Sequence, residues 1–367
     1  MRVERAVLRE VPLDLREPFE TSQGRVQERR VLLLTLHGEG LEGWGECVAG
    51  SDPSYTAETT ETAWHVLTRH ALPRVVGREF GRPEDALGPV GWIRGHAMAL
   101  ATVEMAAWDL SARAGGVSLA TLLGGARERV PVGVALGLGA SLEGLAESVE
   151  RSLAEGYARV KVKIGPGRDV DLLARLRERF PRAPLSADAN CAYTLADTPR
   201  LRELDALGLE MLEQPLAWDD LVDHARLQEQ LDTPICLDES IGSERDAAAA
   251  LALGSCRVVN LKPGRVGGFS ASRRIHDLLA SAGMPIWCGG MLETGIGRAH
   301  NLALASLPGF TLPGDISASR RYWERDIVEP EHVVSDGHMR VPGGRGIGVE
   351  VDEERIAALT VRVATFD

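Results

Sequence analysis

Lysine is rare in this chain, and its positions are the first indication of chemistry. Of the 41 basic residues only three are lysine, namely Lys161, Lys163 and Lys262. A lysine ammonium can be tuned to lose its proton, whereas an arginine guanidinium stays protonated and cannot act as a base. The lysines of the segment Arg159-Val160-Lys161-Val162-Lys163 and the remote Lys262 are therefore candidates for proton transfer, unless compositional bias alone left three lysines in the chain.

Charged residues recur at a regular interval after this segment. They are Lys163, Asp188, Glu213, Asp238 and Lys262, at spacings of 25, 25, 25 and 24 residues. Each ends an apolar run that is typical of a buried strand. In a barrel of alternating strands and helices, side chains at the carboxyl ends of the strands converge on one mouth. A single carboxylate could equally be a helix N-cap, but the constant spacing favours one shared site.

The chemistry of this set follows from its charges. Three carboxylates without histidine or cysteine suit Mg²⁺, with Mn²⁺ as a substitute, better than zinc. A substrate carboxylate on the metal would place its α-carbon between Lys163 and Lys262, so that one amine removes the α-proton and the other returns it from the opposite face. A free amine requires a lysine pKa lowered from about 10.4 to about 7.5, which burial beside Lys161 and a dication could supply.

The elements that must position these residues change character along the chain. Residues 2–48 alternate as strands do, with a hairpin turn at residues 37–43 and loops at residues 19–24 and 49–55. The turn matches G-x-G-x-x-G, but no helix follows, so a nucleotide-binding fingerprint is rejected. Helices are predicted at residues 56–72 and 96–114.

From residue 130 onwards, predicted strands and helices alternate. The strands are predicted at residues 132–136, 159–163, 185–188, 209–213, 234–238, 257–262, 285–288 and 310–312. Amphipathic helices separate them, for example at residues 142–154, 170–179 and 270–282. Eight strands with helical crossovers indicate a (β/α) barrel rather than an open sheet. A late strand is predicted at residues 359–364.

Composition excludes several classes of protein. The 367 residues provide room for one large domain and a smaller one. A net charge of −12 argues against a nucleic-acid surface. The five cysteines are odd in number and contain no CxxC pair, which disfavours a disulfide framework or a zinc knuckle. With no signal-peptide core and no apolar run long enough for a bilayer, we expect a cytoplasmic protein that binds no membrane.

Five motifs resemble those of the enolase superfamily, and more narrowly its muconate-lactonizing subgroup. They read Val160-Lys161-Val162-Lys163, Asp188-Ala189-Asn190, Glu213-Gln214-Pro215-Leu216, Asp238-Glu239-Ser240 and Asn260-Leu261-Lys262. Residues 218–224 and 287–298 are similar to the N-acylamino acid racemase / o-succinylbenzoate synthase family. The resemblance implies an α/β fold, a (β/α)7β modified TIM barrel at residues 126–322 with an N-terminal α+β capping domain at residues 1–125. Residues 323–367 would pack back on the capping domain.

The resemblance also implies roles for single residues. Lys163 and Lys262 would be the acid/base pair, and the metal ligands would be Asp188, Glu213 and Asp238. Asn190 and Glu239 would support these ligands. Lys161 would hold the substrate carboxylate or lower the pKa of its neighbour.

Further residues would contact the rest of a small carboxylate substrate. Phe19 and Tyr55 of the capping domain would lie against the substrate's side chain, unless they are ordinary packing residues. Gly290, Met291 and Leu292 would line an acyl or succinyl pocket. Relatives of this kind also suggest a homo-oligomer, either an octamer or a dimer.

The expected reaction starts with removal of the proton α to a metal-bound carboxylate. It is dehydration of 2-succinyl-6-hydroxy-2,4-cyclohexadiene-1-carboxylate to o-succinylbenzoate, racemisation of N-acyl (particularly N-succinyl) amino acids, or both. Asp315-Ile316-Ser317 lacks the D-x-D of dipeptide epimerases, which disfavours that activity, and Gly133-Val134-Ala135-Leu136-Gly137 lacks a serine found in some relatives. Muconate cycloisomerisation stays an alternative. An inactive carboxylate-binding barrel is a third hypothesis, which the retention of both lysines disfavours.

Overall fold

Three antiparallel strands begin the chain. In the computed structural model, which describes residues 1–22, 24–139 and 141–367, they are β1 (Arg5–Thr21), β2 (Gly24–Gly38) and β3 (Leu41–Cys47). Glu39 and Gly40 join β2 to β3 with φ values of 55° and 73°, as expected of a tight hairpin turn. The turn predicted there is confirmed.

The predicted loop at residues 19–24 is wrong for its described part. Phe19 pairs with Val26 and Thr21 with Gly24, so the ladder between β1 and β2 continues beyond a register shift that follows Asp14. Alternating apolar and β-favouring side chains at this tip extend the hairpin instead of ending it. Gln23 lies outside the described residues.

Helices cover one face of this sheet. They are α1 (Thr60–Val66), a π-helical turn (Leu67–Ala71), α2 (Leu72–Val75), a 3₁₀ helix (Pro83–Val90), α3 (Ala97–Ala114) and α4 (Leu119–Leu123). The helix predicted from residue 56 starts later, because Thr59 and Thr62 form a reciprocal capping box that fixes the first turn at Thr60. The prediction for α3 is confirmed to within one residue.

Seven parallel strands form a curved sheet after a short strand, β4 (Arg129–Pro131). They are β5 (Gly133–Leu136), β6 (Arg159–Lys163), β7 (Leu185–Asp188), β8 (Leu212–Glu213), β9 (Ile235–Leu237), β10 (Val258–Leu261) and β11 (Ile286–Cys288), paired in this order. The α-helices between and after them are α5 (Leu142–Ala154), α6 (Val170–Arg179), α7 (Thr198–Arg202), α8 (Leu221–Gln228), α9 (Glu244–Leu253), α10 (Pro263–Val266), α11 (Phe269–Ser281) and α12 (Gly295–Ala305). Two 3₁₀ helices, Leu195–Asp197 and Glu203–Leu207, flank α7.

The segment predicted as an eighth strand closes the barrel without forming a strand. In the described part of the chain, isolated bridges instead of a ladder join it to its neighbours, from Phe310 to β11 and from Gly314 to the residue before β5. Pro313 has no N–H to donate, so a regular ladder cannot run through this segment. The carbonyl of Gly314 nevertheless accepts a hydrogen bond from the N–H of Gly133 at 2.7 Å, which fills the gap between the last and first strands.

The C-terminal segment returns to the N-terminal sheet. After a 3₁₀ helix (Ser319–Arg321) it contains β12 (Val328–Glu329), β13 (Val334–Ser335), β14 (His338–Arg340), β15 (Glu350–Val351), α13 (Glu353–Leu359) and β16 (Arg362–Phe366). The sheet order is β16-β1-β2-β3. The predicted strand at residues 359–364 starts too early, because α13 extends through Leu359. Within the described residues, no helix has both the length and the apolar character needed to cross a bilayer.

Two buried carboxylates hold barrel helices against the N-terminal elements. Glu46 of β3 accepts hydrogen bonds from the N–H and the hydroxyl of Thr294, at 3.0 and 2.6 Å, where α12 begins. Glu104 of α3 accepts from the N–H groups of Phe269 and Ser270, at 2.7 and 3.0 Å, where α11 begins. The first N–H groups of a helix lack partners within the helix and favour a negative charge. These contacts fix the N-terminal sheet over the mouth of the barrel.

Replacing Glu104 with alanine should lower the free energy of unfolding by about 3 kcal/mol or more. Its carboxylate also accepts from Trp108 Nε1 at 2.7 Å and from the Ser270 hydroxyl, so the change leaves several buried donors unpaired. Urea unfolding followed by circular dichroism measures the loss. Glu324→Ala, at a side chain that is 90% exposed, is the control and should cost less than about 0.5 kcal/mol. Similar small losses in both variants would contradict the clamping role.

Candidate active site

The five regularly spaced charged residues lie at one end of the barrel. Lys163, Asp188 and Glu213 are the last residues of β6, β7 and β8, while Asp238 and Lys262 directly follow β9 and β10. All five are buried. Hydrogen bonds join Lys163 to Asp188 and Lys262 to Asp238, at 2.7 and 2.9 Å. The structure therefore brings together the residues that the spacing selected.

Lys161 lies among carboxylates. Its Nζ is 2.6 Å from Asp315 Oδ2, 2.8 Å from Glu213 Oε2 and 3.0 Å from Asp188 Oδ2. Burial lowers the pKa of Lys161, but the three carboxylates outweigh burial and raise it well above its ordinary value. The ammonium also lies 4.9 Å from the centre of the Trp287 ring. Lys161 is a fixed positive charge in this arrangement.

Lys163 is held from the side of β7. Its Nζ donates to Asp188 Oδ2 at 2.7 Å and to Asn190 Oδ1 at 2.6 Å. The Asn190 amide donates in turn to Glu239 Oε1 at 3.0 Å. Burial, followed by the charge of Asp238, raises the pKa of Glu239 to about 7. Asn190 and Glu239 thus form a chain of hydrogen bonds that ends at the candidate base.

Lys262 is held from the opposite side, by Asp238 and by the N-terminal part of the chain. Its Nζ donates to Asp238 Oδ2 at 2.9 Å and to the Tyr55 hydroxyl at 3.1 Å. Arg265 donates to the same hydroxyl at 3.1 Å and forms an ion pair with Asp238. Burial lowers the pKa of Lys262, but Asp238 outweighs it and the pKa is raised. The direction at Lys262 is therefore opposite to the one that a free amine at this position would need.

Asp188, Glu213 and Asp238 form the candidate metal ligands. Within the described part of the chain, no three His, Cys, Asp or Glu side chains are arranged to hold a metal ion. Ammonium and guanidinium groups bond these three carboxylates. Their donor chemistry fits Mg²⁺, since all three are oxygen ligands that are at most 1% exposed. Burial, followed by the charge of Asp188, raises the pKa of Glu213 to about 8. Asn260 fixes one Glu213 oxygen with a hydrogen bond of 2.9 Å.

One cavity of about 280 Å³ lies between the barrel mouth and the N-terminal sheet. It is lined by ten of the predicted site residues: Phe19, Tyr55, Lys161, Lys163, Asp188, Asn190, Lys262, Gly290, Met291 and Leu292. Glu213, Asp238 and Glu239 lie behind this lining, each bonded to a residue that forms it. Residues 25–29 of β2 and residues 50–52, 54 and 55 of the loop after β3 supply the opposite wall.

The tip of the β1–β2 hairpin closes over this cavity. The Glu20 carbonyl accepts from Leu138 N at 3.1 Å, and Ser22 Oγ donates to the Ala189 carbonyl at 3.2 Å. Phe19 packs edge-on against Tyr322, with ring centres 6.3 Å apart. Phe19 therefore lines the cavity and also packs as part of the cover.

Sequence reasoning missed several charged partners in the site. Asp315 bridges Lys161 and Arg159, whose Nη2 lies 2.9 Å from Asp315 Oδ1. The sequence does contain an indication of Asp315. It comes after the predicted eighth strand of the barrel, and the other charged residues of the site also lie at the carboxyl ends of their strands. Arg265 carried no comparable signal in a chain whose other cations are nearly all arginine. Asn260 belongs to one of the five motifs, but the resemblance implied no role for it.

Replacing Tyr55 with phenylalanine should lower kcat/KM about tenfold. The hydroxyl bonds Lys262, Arg265 and Asp238 Oδ1, the last at 3.1 Å, so its loss loosens the lysine without changing the ring. Tyr193→Phe is the matched control, because that hydroxyl also bonds a buried aspartate, at 3.0 Å, but does not line the cavity. Steady-state kinetics and a pH profile of both variants measure the effect. Equal losses would show that the Tyr55 hydroxyl has only a structural role.

Comparisons with known proteins decide the family. Residues 3–124 match the family model described as mandelate racemase / muconate lactonizing enzyme, N-terminal domain, and residues 144–355 match the one described as enolase C-terminal domain-like. The chain belongs to the enolase superfamily. A solved structure of an enolase superfamily member from Listeria innocua has a TM-score of 0.96 at 42% identity, and covers 100% of this chain and 99% of that one. The family and the fold class expected from the sequence are confirmed.

Two relatives within the enolase superfamily share about half of the sequence. An o-succinylbenzoate synthase from Geobacillus stearothermophilus is 50% identical over 100% of this chain and 98% of its own length. An N-succinylamino acid racemase from Thermus thermophilus is 53% identical over 96% of this chain and 95% of its own. A chloromuconate cycloisomerase from Cupriavidus pinatubonensis is more distant, at 31% identity over 96% of each chain. Enolase superfamily members typically use Mg²⁺.

Proposed function

We propose that this chain is an Mg²⁺-dependent enzyme that removes the proton α to a carboxylate, as an o-succinylbenzoate synthase, an N-acyl (N-succinyl) amino acid racemase, or both. One observation carries the proposal. Lys163 on β6 and Lys262 after β10 enter the same cavity from the two sides of three strands that carry the carboxylates. The relatives that are 50% and 53% identical and bear these two names support it.

The residues of the chain divide the reaction between them. Asp188, Glu213 and Asp238 would hold the metal, which when bound stabilises negative charge on the substrate's carboxylate oxygens. An Asp238 that coordinates a cation raises the pKa of Lys262 less than the free carboxylate does. In dehydration, Lys163 Nζ takes the α-proton and gives a proton to the departing hydroxyl, which leaves as water, while Lys262 Nζ stays protonated beside the developing charge. In racemisation, the two Nζ atoms alternate as acceptor and donor.

Hydrogen exchange at the α-carbon tests the step that both reactions share. Purified protein with Mg²⁺ in D₂O should exchange the α-proton of N-succinyl amino acids, seen by NMR, or dehydrate the cyclohexadiene substrate to o-succinylbenzoate. EDTA should abolish both activities, and Mg²⁺ should restore them. If the purified protein with Mg²⁺ shows no exchange and no dehydration, the proposal is refuted.

Muconate cycloisomerisation is the second candidate, favoured only by the cycloisomerase that is 31% identical. Turnover of cis,cis-muconate at a rate above that of the N-succinyl substrates would decide for it. The homo-oligomer implied by the resemblance, an octamer or a dimer, stays a prediction, and light scattering of the purified protein tests it.

A further inference from the structure

One buried arginine lacks the carboxylate partner that the others have. The described part of the chain contains four buried arginines: Arg29, Arg159, Arg265 and Arg298, which are 6%, 0%, 4% and 2% exposed. The last three lie within 4.0 Å of a carboxylate, provided by Asp315, Asp238 and Asp326 respectively. No carboxylate of the described residues lies within that distance of Arg29.

Arg29 lines the wall of the cavity that faces the barrel mouth. Its Nη2 donates to the Val48 carbonyl at 3.1 Å, and its Nε has no hydrogen-bond partner among the described residues. Burial lowers the pKa of Arg29, yet a guanidinium stays charged at neutral pH. A buried charge needs an opposite charge or a full set of hydrogen bonds, and this one has neither.

Three carboxylates act on the charge of Arg29, namely Glu46, Glu293 and Asp52. Asp52 lines the cavity and accepts from Ser54 N at 3.0 Å, and the other two are engaged elsewhere. Glu46 accepts from Thr294 at 2.6 Å, and Glu293 accepts from the Asn301 amide at 2.9 Å. The guanidinium therefore keeps its capacity for a paired hydrogen bond with an anion that enters the cavity. A carboxylate matches this fork of donors better than a neutral acyl group does.

We propose that Arg29 binds a second carboxylate of the substrate, remote from the α-carbon, and so makes the enzyme selective for dicarboxylates such as N-succinyl amino acids. The inference rests on the proposed function of the same cavity, where the metal ligands and lysines take the first carboxylate. The second carboxylate comes either from the acyl group or from the amino acid's own side chain.

The ratio of two matched substrates tests this role. N-succinyl-leucine is compared with N-succinamoyl-leucine, in which an amide replaces the terminal carboxylate, by α-deuterium exchange in the holoenzyme. Arg29→Gln should lower the kcat/KM ratio of the two by at least about tenfold, mainly through KM. Arg29→Lys should recover part of the ratio. N-acetylglutamate and N-acetylglutamine form a second pair of matched substrates. If Arg29→Gln changes only the kcat/KM ratio of this second pair, Arg29 binds the carboxylate of the amino acid's side chain.

Arg30→Gln is the matched control, because the neighbouring Arg30 pairs with Glu10 and Glu61 and does not line the cavity. It should keep the substrate ratio of the wild type. An equal loss for both members of each substrate pair in Arg29→Gln, or an unchanged ratio in both pairs, overturns the inference. A wild type that turns over neither substrate refutes the proposed function instead. Arg29 is then tested by binding, since N-succinylglycine should raise Tm more than N-succinamoylglycine in the wild type but not in Arg29→Gln.

Discussion

Lys163→Arg should lower α-proton exchange by about a thousandfold or more for one enantiomer of an N-succinyl amino acid, and far less for the other. Arginine keeps the positive charge but cannot accept the proton. Lys262 enters the cavity from the other side of the carboxylates and still serves the opposite enantiomer. Lys262→Arg should show the reverse preference. NMR exchange with each pure enantiomer in D₂O measures both variants.

Lys161→Arg is the comparison for this pair. Lys161 is bonded to three carboxylates as a fixed cation, and arginine preserves that charge, so the loss of exchange should be smaller than for Lys163→Arg. Exchange of both enantiomers by Lys163→Arg at the wild-type rate would refute the assignment of Lys163 as a base. An equal loss of exchange for both enantiomers in Lys163→Arg would mean that Lys262 cannot exchange the α-proton of either enantiomer without Lys163.

Glu213→Gln should weaken Mg²⁺ binding by about a hundredfold or more and reduce turnover to background. Glu213 is fully buried between Asn260 and Lys161, so no water or neighbouring side chain replaces the lost charge. Calorimetric titration with Mg²⁺ and kinetics over a range of metal concentrations separate affinity from turnover.

The same substitution three residues earlier, Glu210→Gln, is the control. Glu210 is exposed and precedes β8 at the end away from the mouth, so metal affinity and turnover should stay at the wild-type values. Wild-type Mg²⁺ affinity in Glu213→Gln would refute its assignment as a ligand. Weakened affinity with normal turnover at saturating Mg²⁺ would separate metal binding from the chemistry.

Local patterns were sufficient to predict much of the barrel. The bounds of β6, β7, α5 and α6 agree with prediction, because continuous apolar runs and amphipathic repeats report burial directly. The charged residue that ends each run is also visible in the sequence. The eighth segment has strand composition up to Pro313, and the isolated bridges that it forms depend on its neighbours in the barrel, which composition does not report. The hairpin tip at residues 19–22 is ordered by contacts with distant loops.

The ion pairs of the site were beyond the reach of sequence reasoning. The sequence places Lys161 two residues from Lys163 and so indicates repulsion between two ammonium groups. The structure places Asp315, which is distant in sequence and follows the eighth barrel segment, against Lys161 at 2.6 Å. The direction of a pKa depends on such long-range neighbours, which spacing does not reveal. For the same reason the missing partner of Arg29 is visible only in three dimensions.

The pairing of β16 with β1 affects what happens to the chain during its synthesis. One edge of β1 is covered as soon as the hairpin with β2 forms, but the other edge stays open until residues 362–366 leave the ribosome. An open strand edge is a template for pairing with another chain. Nascent chains on neighbouring ribosomes therefore expose an unpaired edge of β1 through most of translation. Removal of β16 would leave this edge unpaired in the released protein, which would then be prone to pair with other chains.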